Sequence, residues 1–404
     1  MKRETKMPFN VWVLTLAQAF AMSAAPMMML LGGILGVELA PSPILATLPI
    51  ASMVVGVAIS ILPVTQLMRS LGRKNVFIGG SLLAAVSGLV AAYAAQEHNF
   101  ELFCFSGILL GCAGAVIQQY RFAAMESVAP ELGAKATSRV LLGGLVAAFL
   151  GPELAVLGGE LIETPYVGAF LFLTMVSLLA GVTLCFYRED SSASSRVSIE
   201  TQGDVRPLRI ILNQEQIWVA IAGAMIGFAM MSFVMTATPL HMHHIEHHSL
   251  ADTKWVIQSH IIAMYLPSLF TGYLVAKLGV SKMMLTGLLA YFVTIVTALM
   301  GNEVLNYWAA LVLLGLGWNL LFVGGTVLLP RCYRPDERFK VQAFNDTLIF
   351  GSQAIASLSA GWVIHQLGWQ VLLIICIPFI GIQLLLIFWW KLSQSKLLVT
   401  KASE

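Results

Sequence analysis

The sequence predicts an all-α membrane protein whose twelve transmembrane helices form two pseudo-symmetric six-helix bundles. Charged residues make up only 11% of the 404 residues, whereas a soluble domain carries about 25%. The mean hydropathy is +0.82, and the apolar residues are gathered in long runs. These runs are longer than the short alternating strands of a transmembrane barrel. The composition therefore excludes an ordinary soluble domain, and the run length excludes a barrel.

Twelve apolar runs are long enough to cross a bilayer, which requires about 20 mostly apolar residues in a helix. We number them as spans 1 to 12 in chain order. They cover residues 11–36, 44–68, 76–95, 102–120, 140–158, 166–187, 216–240, 255–276, 283–300, 306–328, 341–364 and 369–390.

The basic residues predict the orientation of these spans, because Lys and Arg favour cytoplasmic loops. With the N-terminus inside, all of the 23 Lys and Arg residues except Lys254 fall in cytoplasmic connections or tails. We therefore expect a multi-pass protein of the plasma membrane, the inner membrane in a bacterium, with both termini cytoplasmic. The formal charge of +2 then reflects topology, and the expected surroundings are lipid rather than nucleic acid.

Tryptophans agree with this orientation, since the indole ring favours the membrane interface. The inner set is Trp12, Trp218, Trp389 and Trp390, and the outer set is Trp255, Trp308 and Trp369.

A Ser-rich, charged stretch at 188–215 divides the chain into an N-terminal bundle, 1–187, and a C-terminal bundle, 216–404. The two halves resemble each other. "TQLMRSLGRKNVFIGG" follows span 2 and "TGYLVAKLGVSKMMLTG" follows span 8, and each places a Leu-Gly pair (Leu71-Gly72 and Leu278-Gly279) before the next apolar helix. Repeated halves with a solute site between them are a transporter architecture.

The loop after span 2 carries a resemblance to the major facilitator superfamily that extends over essentially the whole chain. In that family the loop reads roughly G-x-L-x-D-R-x-G-R-R/K. Here "TQLMRSLGRK" keeps Gly72, Arg73 and Lys74, but Thr65 replaces the first glycine and Arg69 stands where the acid is expected. The resemblance implies a secondary transporter that works by alternating access, with spans 1, 4, 7 and 10 around the cavity. We expect a monomer.

Two ionisable residues inside spans 5 and 8 are candidates for proton coupling, since charges in hydrocarbon are costly and usually functional. Glu153 follows Gly151-Pro152 in "GPELAVLGG", a displaced form of the family's antiporter signature, and His260 is in span 8. The resemblance implies that these spans meet. We expect a direct or water-bridged Glu153–His260 pair that titrates as the halves move, with protons as the coupling ion. The alternative is a capping Glu153 and a His260 that faces polar lining without moving protons.

Three further charged residues lie toward the inner ends of their spans. Asp346 in span 11 and Arg69 in span 2 are expected to form a cytoplasmic latch; alternatively Asp346 interacts with the positive end of its helix dipole and Arg69 is solvated. Arg121 ends span 4, where the superfamily often has an arginine for proton transfer or substrate binding. The alternative for Arg121 is an interfacial pair with Glu126.

Polar and aromatic residues of the cavity-lining spans are the substrate candidates. They are Gln18, Gln118, Gln119, Thr236, Thr238, His241, Trp318 and Asn319. Neutral polar groups in an apolar cavity fit an amphipathic small organic solute. The chain has no G-x-S-x-G, H-E-x-x-H or P-loop motif, so we expect neither an enzyme nor a cofactor. A metal- or metallophore-related transporter and a non-transporting receptor on the same fold are the alternatives, and import and export both remain open.

The stretch "PLHMHHIEHHSL" at 239–250 holds five of the eight histidines at the outer end of span 7. It has three interpretations: a solvated loop, a pH-sensitive outer gate, or a metal site, since imidazoles bind Zn, Ni and Cu. The metal candidates are His243, His244, His247 and His248. His241 directly follows span 7 and is expected at the mouth of the cavity.

Overall fold

Helices joined by short connections make up the described part of the chain. The computed structural model describes residues 7–128, 132–189, 206–334 and 337–402, and within these ranges no strand occurs. The side chains of a few helical residues, Arg69 among them, lie outside the described part. The predicted all-α class is confirmed.

The first half contains spans 1 to 6. Span 1 consists of two helices, Phe9–Met22 and Ala24–Leu39, and span 4 also consists of two, Phe100–Ile117 and Tyr120–Glu126. The other spans are Leu48–Leu71, Arg73–Gln96, Gly133–Gly159 and Val167–Cys185, and a short 3₁₀ turn, Pro43–Leu45, precedes span 2.

The second half begins with a short helix, Leu208–Ile211, and continues with spans 7 to 12. Spans 7, 9, 10 and 11 are Glu215–Leu240, Val280–Leu299, Val304–Leu328 and Arg338–Gln366. Span 8 is Leu250–Tyr265, a 3₁₀ turn at Leu266–Leu269, and Thr271–Leu278; span 12 is Gly368–Ile375 and Ile377–Ala402. Single turns follow spans 7 and 10, at His241–Ile245 and Leu329–Cys332.

Eleven of the described helical segments are long and apolar enough to cross a membrane. Span 8 is the exception, because its first helix has only 16 residues. Pro267 occupies the turn that follows, and proline lacks the backbone N–H that a continuing helix needs. Span 8 is therefore a broken helix in this structure.

The repeat seen in the sequence has a matching backbone in both halves. Gly72 ends span 2 with φ 82° and ψ 158°, and Gly279 ends span 8 with φ 74° and ψ 157°. This conformation is open almost only to glycine. The two Leu-Gly pairs therefore make the same sharp turn between consecutive helices.

The halves pack against each other at the end that carries residues 40–47 and 241–249, which we call the outer end after the predicted orientation. Spans 1 and 7 meet there, as do spans 2 and 11, and spans 5 and 8. A Cβ atom on Gly33 of span 1 would lie 3.2 Å from the Cβ atom of Pro239 in span 7, and one on Gly361 would strike the Thr47 hydroxyl. Small residues allow this close approach.

At the opposite, inner end the described polar contacts tie each half to itself. The Asn10 side chain exchanges hydrogen bonds with the backbone of Arg188, joining spans 1 and 6. Arg206 binds Glu337, which joins the segment before span 7 to the start of span 11. Each of these contacts lies within one half.

Candidate functional site

Five aromatic side chains from four spans form a contiguous group, which we call the aromatic cluster: Phe228, Tyr265, Trp318, Phe322 and Phe350. The Trp318 and Phe322 rings are one helical turn apart in span 10 and stack with centroids 5.1 Å apart and planes 17° apart. Phe228 of span 7 meets both edge-on, at 5.1 and 5.2 Å, and also meets Phe350 of span 11 at 5.6 Å. Tyr265 of span 8 lies edge-on to Trp318 at 6.1 Å. Stacked and edge-on pairs are the preferred ring geometries.

Trp318, one of the sequence candidates, is the centre of this cluster. Its side chain is only 5% exposed. Its indole Nε1–H is buried and has no hydrogen-bond partner among the described residues. A buried donor without a partner is costly, so a solute that accepts this hydrogen bond would gain from it.

Tyr265 connects the cluster to the first half. Its ring packs on Gly144 of span 5, and the Met22 sulfur packs on the same glycine. The Gln18 amide nitrogen lies 3.0 Å from that sulfur, while the Gln18 Oε1 atom is buried without a partner in the described chain. Gln18 and Trp318 are thus linked through Met22, Gly144 and Tyr265.

A pair of opposite charges lies on the inner side of the aromatic cluster. Asp346 is one turn before Phe350 in span 11, so the two side chains share a helix face. The Arg121 guanidinium is within electrostatic range of both the Asp346 carboxylate and Tyr265. Asp346 also accepts a hydrogen bond from Asn345 at 3.0 Å. The Arg121 Nε atom is buried and has no described partner.

The alternative pairing of Arg121 with Glu126 is wrong. Glu126 instead accepts a hydrogen bond from the Arg73 guanidinium at 2.8 Å, which links the family-like loop to the end of span 4. The predicted latch between Arg69 and Asp346 lies outside the described part of the chain, because the Arg69 side chain does.

Glu153 does not pair with His260. Its carboxylate accepts two hydrogen bonds from the Lys254 ammonium, at 2.9 and 3.0 Å, and one from the Gln258 amide at 3.2 Å. This interaction joins span 5 of one half to span 8 of the other at the outer end. Lys254 is the single Lys or Arg residue that the predicted topology places outside. Its ion pair with Glu153 gives a reason for a basic residue at that position.

His260 points away from Glu153 because it is two positions after Gln258, and residues two apart on a helix face nearly opposite sides. Its ring is 1% exposed, and Nδ1 lies 2.7 Å from the Leu311 carbonyl oxygen of span 10. A carbonyl only accepts, so Nδ1 carries the hydrogen and Nε2 carries the lone pair. The Nε2 atom has no partner among the described residues.

Two of the substrate candidates in span 7 are structural. The Thr236 hydroxyl lies 2.8 Å from the Ser357 hydroxyl of span 11, and the Thr238 hydroxyl donates to the Val234 carbonyl of its own helix at 2.8 Å. Both threonine side chains are fully buried. The Thr236 hydroxyl therefore links spans 7 and 11, and the Thr238 hydroxyl bonds within its own helix.

Asn319 donates with its amide nitrogen to the Met264 carbonyl and the Ser268 hydroxyl, at 2.7 and 2.6 Å, while its Oδ1 atom is buried without a hydrogen-bond partner among the described residues. These bonds hold the end of the first helix of span 8. Gln118 and Gln119 are half-buried at the break between the two helices of span 4. They precede Arg121 by less than one turn.

His241 is buried within the second half rather than at the mouth of the cavity. Its ring stacks on Trp369 with centroids 4.7 Å apart, and its Nδ1 atom bonds the Tyr307 hydroxyl. The side chain is 5% exposed. Span 7 ends in a wider, π-type turn at His241–Ile245, and this turn directs the ring inward.

The rest of the His-rich stretch folds as a cap on the outer end. His243 Nδ1 lies 2.9 Å from the His248 carbonyl oxygen, and His248 Nε2 lies 2.7 Å from the Asn302 carbonyl oxygen. The Asn302 amide donates to Glu246 at 2.6 Å. Within the described ranges no group of three or more His, Cys, Asp or Glu residues is placed to hold a metal ion. The stretch is therefore tied together by local hydrogen bonds, while His247 and Ser249 are exposed.

A family model supports this architecture. The model of the Major Facilitator Superfamily matches residues 11–257 and 235–403. The two matches together cover nearly the whole chain.

Three curated relatives cover most of the chain. The riboflavin transporter RfnT of Brucella anthropi is 36% identical over 380 residues, which are 93% of this chain and 94% of that protein. Two uncharacterized MFS-type transporters of Bacillus subtilis are more distant. YddS is 28% identical over 89% of this chain and 86% of its own, and YdeG is 29% identical over 88% and 85%.

Proposed function

Because the chain belongs to the Major Facilitator Superfamily and is a multi-pass membrane transporter of a small solute, we propose that this solute is riboflavin. The relative that is 36% identical over nearly the full length of both chains is a riboflavin transporter. Riboflavin is a flat tricyclic ring with polar edges and an uncharged chain of hydroxyl groups. A cavity for it requires aromatic faces for the ring and a few polar atoms for the edges and the chain.

The stacked Trp318 and Phe322 rings are the observation that carries the proposal. Phe228 and Tyr265 meet Trp318 edge-on, whereas Phe322 is partly exposed, so the face of the Phe322 ring is the surface that we assign to the solute. A planar heteroaromatic ring stacks on such a surface, and each base–aromatic stack is worth about 1–3 kcal/mol in single-stranded nucleic-acid binding. A sugar or an amino acid would gain far less from this surface.

Polar atoms around the aromatic cluster suit the edges of the same solute. The Trp318 Nε1–H is a free donor and Gln18 Oε1 is a free acceptor within the described chain. The riboflavin ring has carbonyl oxygens that accept and an imide N–H that donates. The solute therefore complements both orphaned atoms.

Alternating access is the second component of the proposal, with Glu153 and Lys254 as the outer gate. The pair links the two halves where spans 5 and 8 meet. When the outer end opens, these spans separate and the ion pair breaks. It acts as a gate because it is made in one state and lost in the other.

Proton coupling is the third component, and His260 is the group that supports it. Its Nε2 lone pair is buried and without a hydrogen-bond partner in the described part of the chain, and an imidazole nitrogen with a lone pair can accept a proton. The helix that carries His260 also carries Lys254 of the proposed gate. Proton binding at His260 and gate opening would therefore affect the same span.

Solute counterflow tests the proposal. The purified protein is placed in liposomes loaded with unlabelled riboflavin, and the entry of trace labelled riboflavin is followed. Transient accumulation that depends on the internal riboflavin supports the function, with a labelled sugar as the negative control. Riboflavin binding without counterflow would instead support a non-transporting receptor. Counterflow of a different solute class, with none for riboflavin, would contradict the substrate assignment.

A further inference from the structure

We infer that Asp346 makes the cavity select an uncharged solute and reject its phosphate esters; the inference rests on the proposed function. The acidic side chain would thus determine specificity between riboflavin and riboflavin 5′-phosphate, two compounds that share the same ring. The stacking surface of Trp318 and Phe322 cannot tell these compounds apart, so the discrimination has to come from the groups around the hydroxyl chain.

The Arg121–Asp346 pair is the charged group next to the aromatic cluster. Asp346 shares a face of span 11 with Phe350, a member of the cluster, and Arg121 is within electrostatic range of Tyr265, another member. The two charged side chains come from opposite halves and are within electrostatic range of each other.

Hydrogen-bond chemistry makes this pair suit an uncharged polyol. The guanidinium supplies donors and the carboxylate supplies acceptors. A hydroxyl group both donates and accepts, so a chain of hydroxyls satisfies both partners at once. A phosphate dianion only accepts hydrogen bonds. It can accept from the Arg121 guanidinium, but its negative charge repels the Asp346 carboxylate.

The net charge of the site leads to the same conclusion. One positive and one negative side chain compensate each other, whereas a phosphate ester brings about −1.5 to −2 further charges near neutral pH. Without Asp346, the half-buried Arg121 guanidinium would lack the nearby carboxylate, and arginine is a strong phosphate ligand. Removing the carboxylate should therefore admit the ester.

Equilibrium binding of labelled riboflavin to the purified full-length protein, displaced by either unlabelled compound, tests the inference independently of transport. In the wild-type protein the ester should displace the label much more weakly than riboflavin. In Asp346→Asn the affinity for riboflavin divided by the affinity for the ester should fall by at least about tenfold. This is the effect of one unit charge at roughly 10 Å in a protein interior. Asp346→Glu keeps the charge and should keep the ratio. Glu160→Gln, an exposed carboxylate at the outer end, is the matched control.

A second variant protects the test against misfolding of Asp346→Asn. Arg121→Gln leaves the carboxylate uncompensated, so the ester should lose more affinity than riboflavin does. Equal ratios in the wild-type, Asp346→Asn and Arg121→Gln proteins would overturn the inference, as would equal affinities of the wild-type protein for both compounds. If the wild-type protein does not bind riboflavin, the proposed function itself fails.

Discussion

Lys254 and Glu153 form an ion pair between the two halves of the protein, with Nζ–Oε distances of 2.9 and 3.0 Å. The pair lies at the outer end, where helices of the two halves are in contact. Gln258, one turn after Lys254, donates to the same carboxylate at 3.2 Å. One helix of the second half thus donates three hydrogen bonds to a single carboxylate of the first half.

Breaking this pair should loosen the outer end. We expect Lys254→Gln to raise the maleimide labelling rate of a cysteine placed at the buried Ala46, in a protein without its native cysteines, by about two- to fivefold. The increase is modest because the Glu153 side chain is 56% exposed, and exposed pairs contribute roughly 0.2–1 kcal/mol. The double variant Glu153→Lys/Lys254→Glu should restore slow labelling. An unchanged rate in Lys254→Gln would remove the gate from the proposal.

Trp318 should carry much of the solute binding. We expect Trp318→Phe to weaken riboflavin binding a few-fold, because a smaller ring remains but the Nε1–H is lost, and Trp318→Leu to weaken it about tenfold or more. Isothermal titration of the purified variants measures both. Trp362→Phe, at a half-exposed tryptophan of span 11, is the control and should bind like the wild type. Wild-type affinity in Trp318→Leu would place the ring of the solute elsewhere.

His260 should link the proton gradient to transport. We expect His260→Gln to retain riboflavin counterflow but to lose accumulation driven by an imposed pH gradient, because glutamine can hydrogen-bond but does not titrate in this range. The measurement compares riboflavin counterflow with accumulation driven by the pH gradient in the same liposomes. His365→Gln, at an exposed position in the last turn of span 11, should keep both. If gradient-driven accumulation survives in His260→Gln, a group other than His260 couples proton movement to transport.

The two repeated glycines should tolerate alanine unequally. Alanine at either position forces a conformation that costs on the order of 1–3 kcal/mol. A Cβ on Gly72 would also lie 2.9 Å from a Glu189 carboxylate oxygen, whereas one on Gly279 meets nothing within 4 Å. We therefore expect both variants to lower the thermal unfolding midpoint, and Gly72→Ala to lower it more. Gly351→Ala, in open space within span 11, should leave the midpoint unchanged or raise it slightly, since alanine favours a helix.

Glu337 should make the inner end of the second half sensitive to acid. The Arg206 guanidinium, which binds both carboxylate oxygens at 2.6 and 2.7 Å, lowers the pKa of Glu337 from 4.5 to about 2, although burial acts in the opposite direction. A folded-state pKa below the unfolded value means that the pair stabilises fully above pH 4.5 and loses this effect as the pH falls toward 2.

The expected result is a lower thermal unfolding midpoint for Glu337→Gln at pH 7, and a smaller difference from the wild type at pH 3. Thermal unfolding in detergent across this pH range measures it. Glu303→Gln, at an exposed carboxylate of the outer end, should follow the wild type throughout. A constant difference between Glu337→Gln and the wild type at all pH values would exclude the ion pair as the cause.

The order of the apolar spans, the repeat and the family resemblance could be predicted from the residues alone, because the bilayer imposes length and apolar composition on any helix that crosses it. The sequence also marked Lys254 as exceptional and named Trp318, Gln18, Arg121 and Asp346, since polar and charged residues are conspicuous in apolar helices. It gave no sign of Phe228, Phe322 or Phe350, whose rings are indistinguishable in sequence from side chains that face lipid.

Which of these residues meet depends on how the helices pack. Spans 5 and 8 were expected to touch. Successive residues of a helix are rotated by about 100°, so Gln258, which reaches Glu153, and His260, two positions later, lie on nearly opposite faces of span 8. The hydropathy pattern does not show which face of span 8 turns toward span 5, because this rotation depends on how the helices pack. The same packing turned Thr236, Thr238 and Asn319 inward as ties between or within helices, and placed Trp318 with the phenylalanines of neighbouring spans.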